Sequence, residues 1–472
     1  MITTVAAASP APLAAPRRGR SHWWTGPLAA VVALSGSGSA SLNGDELATL
    51  SAASRSLAGL WELARHIDGH FLPYYLFMHL WTKVGTAELW LRLPSALAIG
   101  VAAWLLCDLG RRLHSTRAGI TAALLLALLP SVSYYGAYAR SYAFAAAAVV
   151  LSFWALHRAA RGRGWVLYGV SVALVCCTHL FAVLVLPAHL LAAATGRMPL
   201  ARMIPAMALG GIPAVVLGLV GYGERHAISW ISQRGPEVLL KFPKMLAGAA
   251  EVGVPLFAVA LVGAVLLRDR AWAGALLGWL VLPPLLLLAV SHLVTPVYVD
   301  RYLFVATPAL ALLAGIAAAS VPRMTVVPCC VLVVGAGAAG IAQHVEIREF
   351  NGRFEDFPGA VQRVDARPGD AIVFGQSSVR AGFDYYATPG VPEDVLRLGR
   401  EPDLRGFAYP ERRDVAEALA DRGRVWVAWR GTKQAGLKLP RVKAVREAGF
   451  AMVTSWHSAE LPGLTVALFA KR

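Results

Sequence analysis

Long runs of apolar residues, separated by short polar segments, extend along this chain from residue 22 to residue 343. Most runs are long enough for a helix that crosses a bilayer, which takes about 20 residues. The segments between them are rich in arginine in alternate loops only, for example at Arg111, Arg158 and Arg268. Cytoplasmic loops show this bias. The pattern therefore predicts an α-helical polytopic membrane protein with about eleven transmembrane helices and a cytoplasmic N-terminus.

The first of these spans has an alternative interpretation. The predicted spans run over about 22–40, 91–110, 118–134, 142–157, 165–179, 180–195, 203–222, 252–267, 271–293, 302–320 and 325–343. In the first, basic residues, a short apolar core and small residues follow in order, which is also typical of a cleavable signal peptide. The many later spans favour a retained first helix, but the signal peptide stays open as an alternative.

Composition divides the chain into three parts. Residues 1–21 are rich in alanine and proline and are predicted to form a disordered cytoplasmic tail. Residues 22–344 hold the spans, and their first extracytoplasmic loop, 42–90, is too polar to span and is expected to form short interfacial helices. Residues 345–472 alternate strand candidates with amphipathic stretches, which predicts an extracytoplasmic α/β domain.

The charge of the chain is explained by its topology. The 472 residues are 57% hydrophobic and 15% charged, with a formal net charge of +16. A soluble domain averages about 25% charged residues, so most of this chain must lie in the lipid bilayer. Because the arginines lie in short loops and not on one soluble face, we exclude nucleic acid as a partner.

The segment Asn43-Gly44-Asp45-Glu46 follows the first span and carries the most distinctive chemistry. A pair of carboxylates at a membrane surface is suited to deprotonating a hydroxyl group. The alternative is that both acids stabilise the dipole of a helix in its first turn. Acidic residues are nearly absent from the spans themselves, whereas ion-coupled carriers usually keep ionisable groups near mid-membrane. The distribution favours an enzyme over a carrier.

Arg140 and Arg301 lie at the predicted outer ends of spans, where arginine is not expected. A guanidinium binds phosphate with two parallel hydrogen bonds, so an anionic partner at the membrane surface would explain both residues. Two alternatives stay open, namely contact with lipid headgroups and, for Arg301, an ion pair with Asp300.

Several short motifs in a fixed order carry a resemblance to a known family. They are Asp45-Glu46, His70-Phe71-Leu72-Pro73-Tyr74-Tyr75, Leu91-Arg92-Leu93-Pro94-Ser95, Tyr138-Ala139-Arg140-Ser141-Tyr142 and Arg301-Tyr302-Leu303. Over residues 23–345 the chain resembles the GT-C glycosyltransferases, in the bacterial branch similar to protein O-mannosyltransferases and aminoarabinose transferases. It departs from the usual His-Pro-Pro of the family, which reads His70-Phe71-Leu72-Pro73 here.

This resemblance implies an enzyme of the inner (plasma) membrane with a GT-C-like catalytic domain at 22–344. It would move a sugar, with mannose as the first candidate, from a polyprenyl-phosphate donor to an extracytoplasmic hydroxyl, inverting the anomeric carbon. The acceptor would be a glycolipid, a polysaccharide or a protein. Because phosphate leaves as a weak base, no general acid is needed, and this scheme requires neither a metal nor a cofactor. A carrier or flippase for a lipid-linked sugar, and a membrane sensor with an outer ligand-binding domain, are the alternatives.

The resemblance also assigns roles to residues. Asp45 would be the base, Glu46 would position it or the acceptor, and Arg140 and Arg301 would bind the leaving phosphate. The remaining residues of the predicted substrate site are His70, Tyr74, Tyr138, Tyr142 and Tyr302.

Overall fold

The computed structural model describes residues 22–162, 164–193, 198–224, 228–321, 326–349, 351–459 and 462–471. The predicted cytoplasmic tail, 1–21, lies outside the described residues, as do Arg163, Arg197 and Arg323 among the arginines that mark the predicted inner side.

The membrane part is a bundle of apolar helices. The helices up to residue 348 are α1 (Thr25–Leu34), α2 (Gly44–Ala53), α3 (Leu57–Ala64), α4 (Leu72–Trp81), α5 (Glu88–Leu113), α6 (Thr116–Leu128), α7 (Pro130–Tyr135), α8 (Tyr142–Ala159), α9 (Trp165–Thr178), α10 (Leu186–Ala193), α11 (Leu200–Gly223), α12 (Phe242–Ala247), α13 (Ala250–Leu266), α14 (Arg270–Leu293), α15 (Thr307–Ala319), α16 (Val327–Ala339) and α17 (Ile341–Arg348). Short 3₁₀ segments lie at Gly69–Phe71, Leu180–Val185, Pro236–Lys241 and Asp300–Ala306.

Among the described residues, five helices are long and apolar enough to cross a membrane, and up to seven if each bent pair is one span. The bent pairs are Pro236–Ala247 with Ala250–Leu266, at 99°, and Val327–Ala339 with Ile341–Arg348, at 45°. Four shorter apolar helices accompany them: Thr25–Leu34, Thr116–Leu128, Trp165–Thr178 and Leu180–Ala193. This is the architecture of a polytopic membrane protein, and the count of about eleven spans stays a prediction.

Small residues bring the helices together. At Gly263 of α13, a Cβ atom would lie only 1.9 Å from the backbone oxygen of Leu313 in α15. A larger residue would therefore force these two helices apart. In a bilayer, where lipid tails are as apolar as leucine, close backbone approach of this kind is a main source of helix association.

The first loop, 42–90, forms short helices as predicted. The hydroxyl of Ser56 accepts a hydrogen bond from the backbone N–H of Gly59 at 3.1 Å and caps α3. Helix α3 ends at Ala64, and α4 follows over Leu72–Trp81.

The C-terminal region is a small α/β unit. Its helices are α18 (Phe357–Gln362), α19 (Arg380–Tyr386), α20 (Val415–Ala418), α21 (Lys433–Gly436) and α22 (Pro440–Glu447), with a 3₁₀ turn at Ser377–Val379. Its strands are β1 (Ala371–Phe374), β2 (Glu393–Asp394), β3 (Arg424–Arg430), β4 (Phe450–His457) and β5 (Leu464–Lys471), in the order β2-β1-β3-β5-β4. Strands β2, β1 and β3 are parallel, and β5 pairs antiparallel with both β3 and β4.

One hydrophobic core joins this α/β unit to the first loop. Leu47 and Met78, from the loop helices, belong to the same buried cluster as Phe374 and Trp426, from the sheet. The α/β unit therefore packs directly on the segment that carries Asp45, and its position bears on the site described next.

Candidate active site

Helix α2 begins at the predicted acidic pair, and its first turn is closed by Asn43. The Asn43 side chain accepts hydrogen bonds from the backbone N–H groups of Asp45 and Glu46, both at 3.1 Å. The Glu46 carboxylate in turn accepts from the backbone N–H of Asn43, which completes a capping box. Asparagine, and not either acid, therefore supplies the cap, and the side chain of Asp45 is left for other contacts.

The carboxylate of Asp45 faces a cavity of about 1240 Å³. Its side chain is 34% exposed, and its Oδ2 lies 3.8 Å from a guanidinium nitrogen of Arg301. The Tyr138 hydroxyl donates a hydrogen bond to the same oxygen at 3.1 Å. Asp45, Tyr138 and Arg301 all line the cavity. The structure thus brings together three predicted site residues from distant parts of the chain.

Asp45 is ionised at neutral pH. Burial tends to raise the pKa of its carboxyl group, but the charges of Arg140 and Arg301 outweigh burial, and the hydrogen bond from Tyr138 and the charge of Arg430 add to them. The pKa is therefore lowered from its usual value. Asp45 can accept a proton from a bound hydroxyl group, and the cations around it stabilise its charged form.

Glu46 points the other way and is fully buried, with 0% exposure. Its carboxylate forms a bidentate ion pair with Arg92, with hydrogen bonds of 2.8 Å and 2.7 Å. It also accepts a hydrogen bond from the backbone N–H of Ala139 at 3.0 Å. Arg92 donates further to backbone oxygens of Ala40 and Ser41. Glu46 and Arg92 therefore tie the start of α2 to the loop that carries Tyr138.

Arg140 lies behind the cavity, in a buried aromatic layer. Its guanidinium donates a hydrogen bond to the Tyr75 hydroxyl at 2.8 Å. The guanidinium carbon lies 4.3 Å from the centroid of the Phe71 ring, and a guanidinium nitrogen lies 4.0 Å from a carboxylate oxygen of Asp68. Its Nε has no partner among the described residues. Arg140 therefore acts on Asp45 through its charge and not through contact.

Four other predicted residues belong to the same layer or border it. The ring centroids of Tyr142 and Tyr302 lie 5.4 Å and 4.9 Å from the centroid of the His179 ring. Tyr74 is buried against Phe144, and His70 lies 3.6 Å from Glu224. In the part of the chain that the structure describes, the cavity lining does not include His70, Tyr74, Arg140, Tyr142, Tyr302 or Glu46.

Cations predominate around the cavity. Arg234, Lys241 and Lys244 line it together with Asp300, and within the described ranges no ion pair is formed by any of these four. Among the described residues, Asp300 therefore forms no ion pair with Arg301, which pairs with the carboxylate of Asp45 instead. Unpaired lysines around an open cavity favour an anionic ligand.

Three charged cavity residues come from the C-terminal region, where the sequence indicated no chemistry: Arg353, Glu355 and Arg430. Arg353 is 2% exposed and stacks over the rings of Tyr134 and Tyr138, at 5.0 Å and 5.5 Å. A carboxylate oxygen of Glu355 accepts a hydrogen bond from the backbone N–H of Gly44 at 2.8 Å. Nothing in the local sequence marks these residues, because the fold brings them to the site from more than 300 residues away.

Comparison with known proteins shows which fold this is. Over 95% of the chain and 97% of its counterpart, the structure matches ArnT from Cupriavidus metallidurans in the apo state, with a TM-score of 0.55 and 13% identity. The same protein bound to undecaprenyl phosphate matches with a TM-score of 0.56 and 13% identity, over 96% and 98% of the two chains. The chain has the GT-C glycosyltransferase fold.

A sequence comparison finds a match in the first half of the chain. The family model of dolichyl-phosphate-mannose-protein mannosyltransferases matches residues 71–220. No curated protein sequence matches the chain. The resemblance inferred from the short motifs is thereby confirmed for the GT-C fold, while the roles of individual site residues stay predictions.

Proposed function

We propose that this protein is a membrane glycosyltransferase that moves a sugar from a polyprenyl-phosphate donor to an acceptor hydroxyl, with Asp45 as the base. One observation carries the proposal: an ionised carboxylate and unpaired cations face the same cavity at the ends of the apolar helices. The GT-C fold supports it, as does the structure of ArnT bound to undecaprenyl phosphate.

In the proposed reaction, Asp45 accepts the proton of the acceptor hydroxyl as its oxygen attacks the anomeric carbon. The bond between that carbon and the phosphate oxygen breaks, and polyprenyl phosphate leaves with the electron pair. A single displacement inverts the anomeric carbon. Polyprenyl phosphate is a weak base, so its departure needs charge stabilisation and not a proton donor.

The leaving phosphate is assigned to Arg301, Lys241 and Lys244. Arg301 borders Asp45 at 3.8 Å, so a phosphate that it binds would lie close to the base. The two lysines are exposed to the cavity and would meet the second negative charge that develops on the leaving group. Arg140 donates a hydrogen bond to Tyr75. It would stabilise the negative charge of the phosphate through its own positive charge, without contact.

A carrier for lipid-linked sugars is less well supported. His189 lies within the predicted span 180–195, and its two ring nitrogens contact Tyr168 at 3.0 Å and Ser152 at 3.3 Å. A histidine with both nitrogens partnered and no carboxylate among these contacts is a satisfied core residue and not a proton relay.

The direct test is transfer by purified protein in nanodiscs. Polyprenyl phosphates carrying different radiolabelled sugars would each be incubated with an envelope fraction, and label would be followed into glycolipid, polysaccharide and protein. We expect one donor to label one acceptor class in the wild type and not in the Asp45→Asn variant. Absence of transfer from any donor would refute the proposal.

A further inference from the structure

The start of α2 is held by the C-terminal α/β unit as well as by its own cap. Gly44 provides the first N–H of the helix, which has no partner within the helix, and Glu355 accepts that hydrogen bond at 2.8 Å. Just upstream, the Tyr386 hydroxyl accepts from the backbone N–H of Leu42 at 2.8 Å, and Ser41 donates to the backbone oxygen of Glu355. The backbone on both sides of Asn43 is therefore fixed from outside the membrane part.

Glu355 is in turn held by Arg430. The guanidinium Nε of Arg430 lies 2.6 Å from a carboxylate oxygen of Glu355, whose side chain is 9% exposed. Arg430 ends strand β3, where Gln376 accepts from its backbone N–H at 2.8 Å and fixes its course. Gly431 follows in the left-handed region, with φ +100°, which favours glycine.

The packing around Gly44 shows how close this contact is. A Cβ atom on Gly44 would lie 2.6 Å from a guanidinium nitrogen of Arg430, so any larger residue would displace the arginine. The distance shows how closely the flexible end of a cation from the C-terminal unit approaches the first turn of α2.

We propose that the Glu355–Arg430 pair of the C-terminal α/β unit is a positioning device for Asp45, fixing both where its carboxylate lies and which charges surround it. This inference rests on the proposed role of Asp45 as the base. Glu355 anchors the backbone residue next to Asp45, and Arg430 lines the same cavity. The C-terminal unit is thus an integral part of the catalytic site and not an independent ligand-binding module.

Electrostatics agree with this geometry. Burial raises the pKa of Asp45, but the charges of Arg140, Arg301 and Arg430 and the hydrogen bond from Tyr138 lower it overall. The Glu355 carboxyl is the acidic group that interacts with Asp45. Burial raises the pKa of Glu355, and the Arg430 charge and the Gly44 hydrogen bond only partly offset it. Loss of the Arg430 charge should therefore raise the pKa of Asp45.

The test uses full-length protein and the transfer assay. Arg430→Gln removes the charge while keeping a hydrogen-bond donor for Glu355. We expect kcat to fall by roughly 10–100-fold, as for a slightly misplaced catalytic group, and the acid limb of kcat/KM to move to higher pH. Arg430→Lys restores the charge and should return the limb to its wild-type position. If the acid limb of the kcat/KM profile of Arg430→Gln stays at the wild-type pH, the proposal is overturned.

A matched control comes from the same α/β unit. Arg380 pairs with Glu411 at 2.6 Å, and neither residue lines the cavity within the described chain. Glu411→Gln should therefore lower thermal stability while kcat and the acid limb keep their wild-type values.

If Arg430→Gln does not fold, Glu355→Gln replaces it. A kcat at least tenfold lower with an unchanged donor KM supports the proposal, and a kcat within threefold of wild type overturns it. Failure of the wild type to transfer sugar would instead refute the proposed function.

Discussion

Replacing Asp45 with asparagine separates catalysis from stability at this site. The amide keeps the shape of the side chain but cannot accept a proton from the acceptor. Loss of a general base typically lowers the rate about 10²–10⁴-fold, which corresponds to about 2.7–5.4 kcal/mol in the activation barrier. We therefore expect turnover to fall by that factor while the protein still folds and still binds donor.

The expected stability cost is much smaller. Asn43 caps α2, so the cap is untouched. What is lost is a favourable charge in the first turn, about 0.3–1 kcal/mol, and a partly exposed ion pair with Arg301, about 0–1 kcal/mol. Thermal unfolding in nanodiscs should show only a small change.

The assay is single-turnover transfer of labelled sugar, with donor binding measured in parallel. Asp300→Asn is the comparison, because Asp300 also lines the cavity but forms no ion pair with Arg301 among the described residues. It should lose far less activity than Asp45→Asn. Near-normal turnover in Asp45→Asn would refute the assignment of the base, and a failure to fold would point to a structural role.

Three further outcomes are expected. Glu46→Gln should destabilise the protein by about 3–5 kcal/mol, measured by thermal unfolding, because it leaves the buried charge of Arg92 unpaired; an unchanged melting temperature would contradict this. Arg301→Lys keeps the charge but loses the planar fork, so donor affinity should fall roughly 10–150-fold, while a donor analogue without phosphate should bind the two proteins equally. A single cysteine introduced at position 114 should resist labelling from outside intact cells, and labelling there would overturn the predicted topology.

The sequence predicts that most of the chain is helical and apolar, because hydropathy and length decide which segments enter a bilayer, while the count of about eleven spans stays a prediction. Ser56 as the cap of α3 and the strands β1, β3 and β5 also follow from local pattern. Strand β4 leaves a weaker signal, since its residues are mostly half-buried or exposed and show no clear alternation. The two-residue strand β2 is too short to leave a pattern.

The site itself was only partly predictable. Their position after the first span makes both Asp45 and Glu46 candidates for the base. The two residues differ only in the direction in which α2 points their side chains. The spacing of Asn43 and Glu46 does match a capping box, and that signal would have assigned Glu46 to structure. Glu355 and Arg430 reach Gly44 through tertiary packing alone, so no local pattern could have indicated them.

The central claim is that sugar transfer and release of polyprenyl phosphate are one event at Asp45. Its most direct test is to quantify both products from a purified donor whose sugar and lipid carry different labels, and to determine the anomeric configuration of the product. The account predicts equimolar polyprenyl phosphate and glycosylated acceptor with inverted configuration, both lost in Asp45→Asn. Donor that crosses the bilayer intact without release of polyprenyl phosphate, or a product with retained configuration, would contradict it.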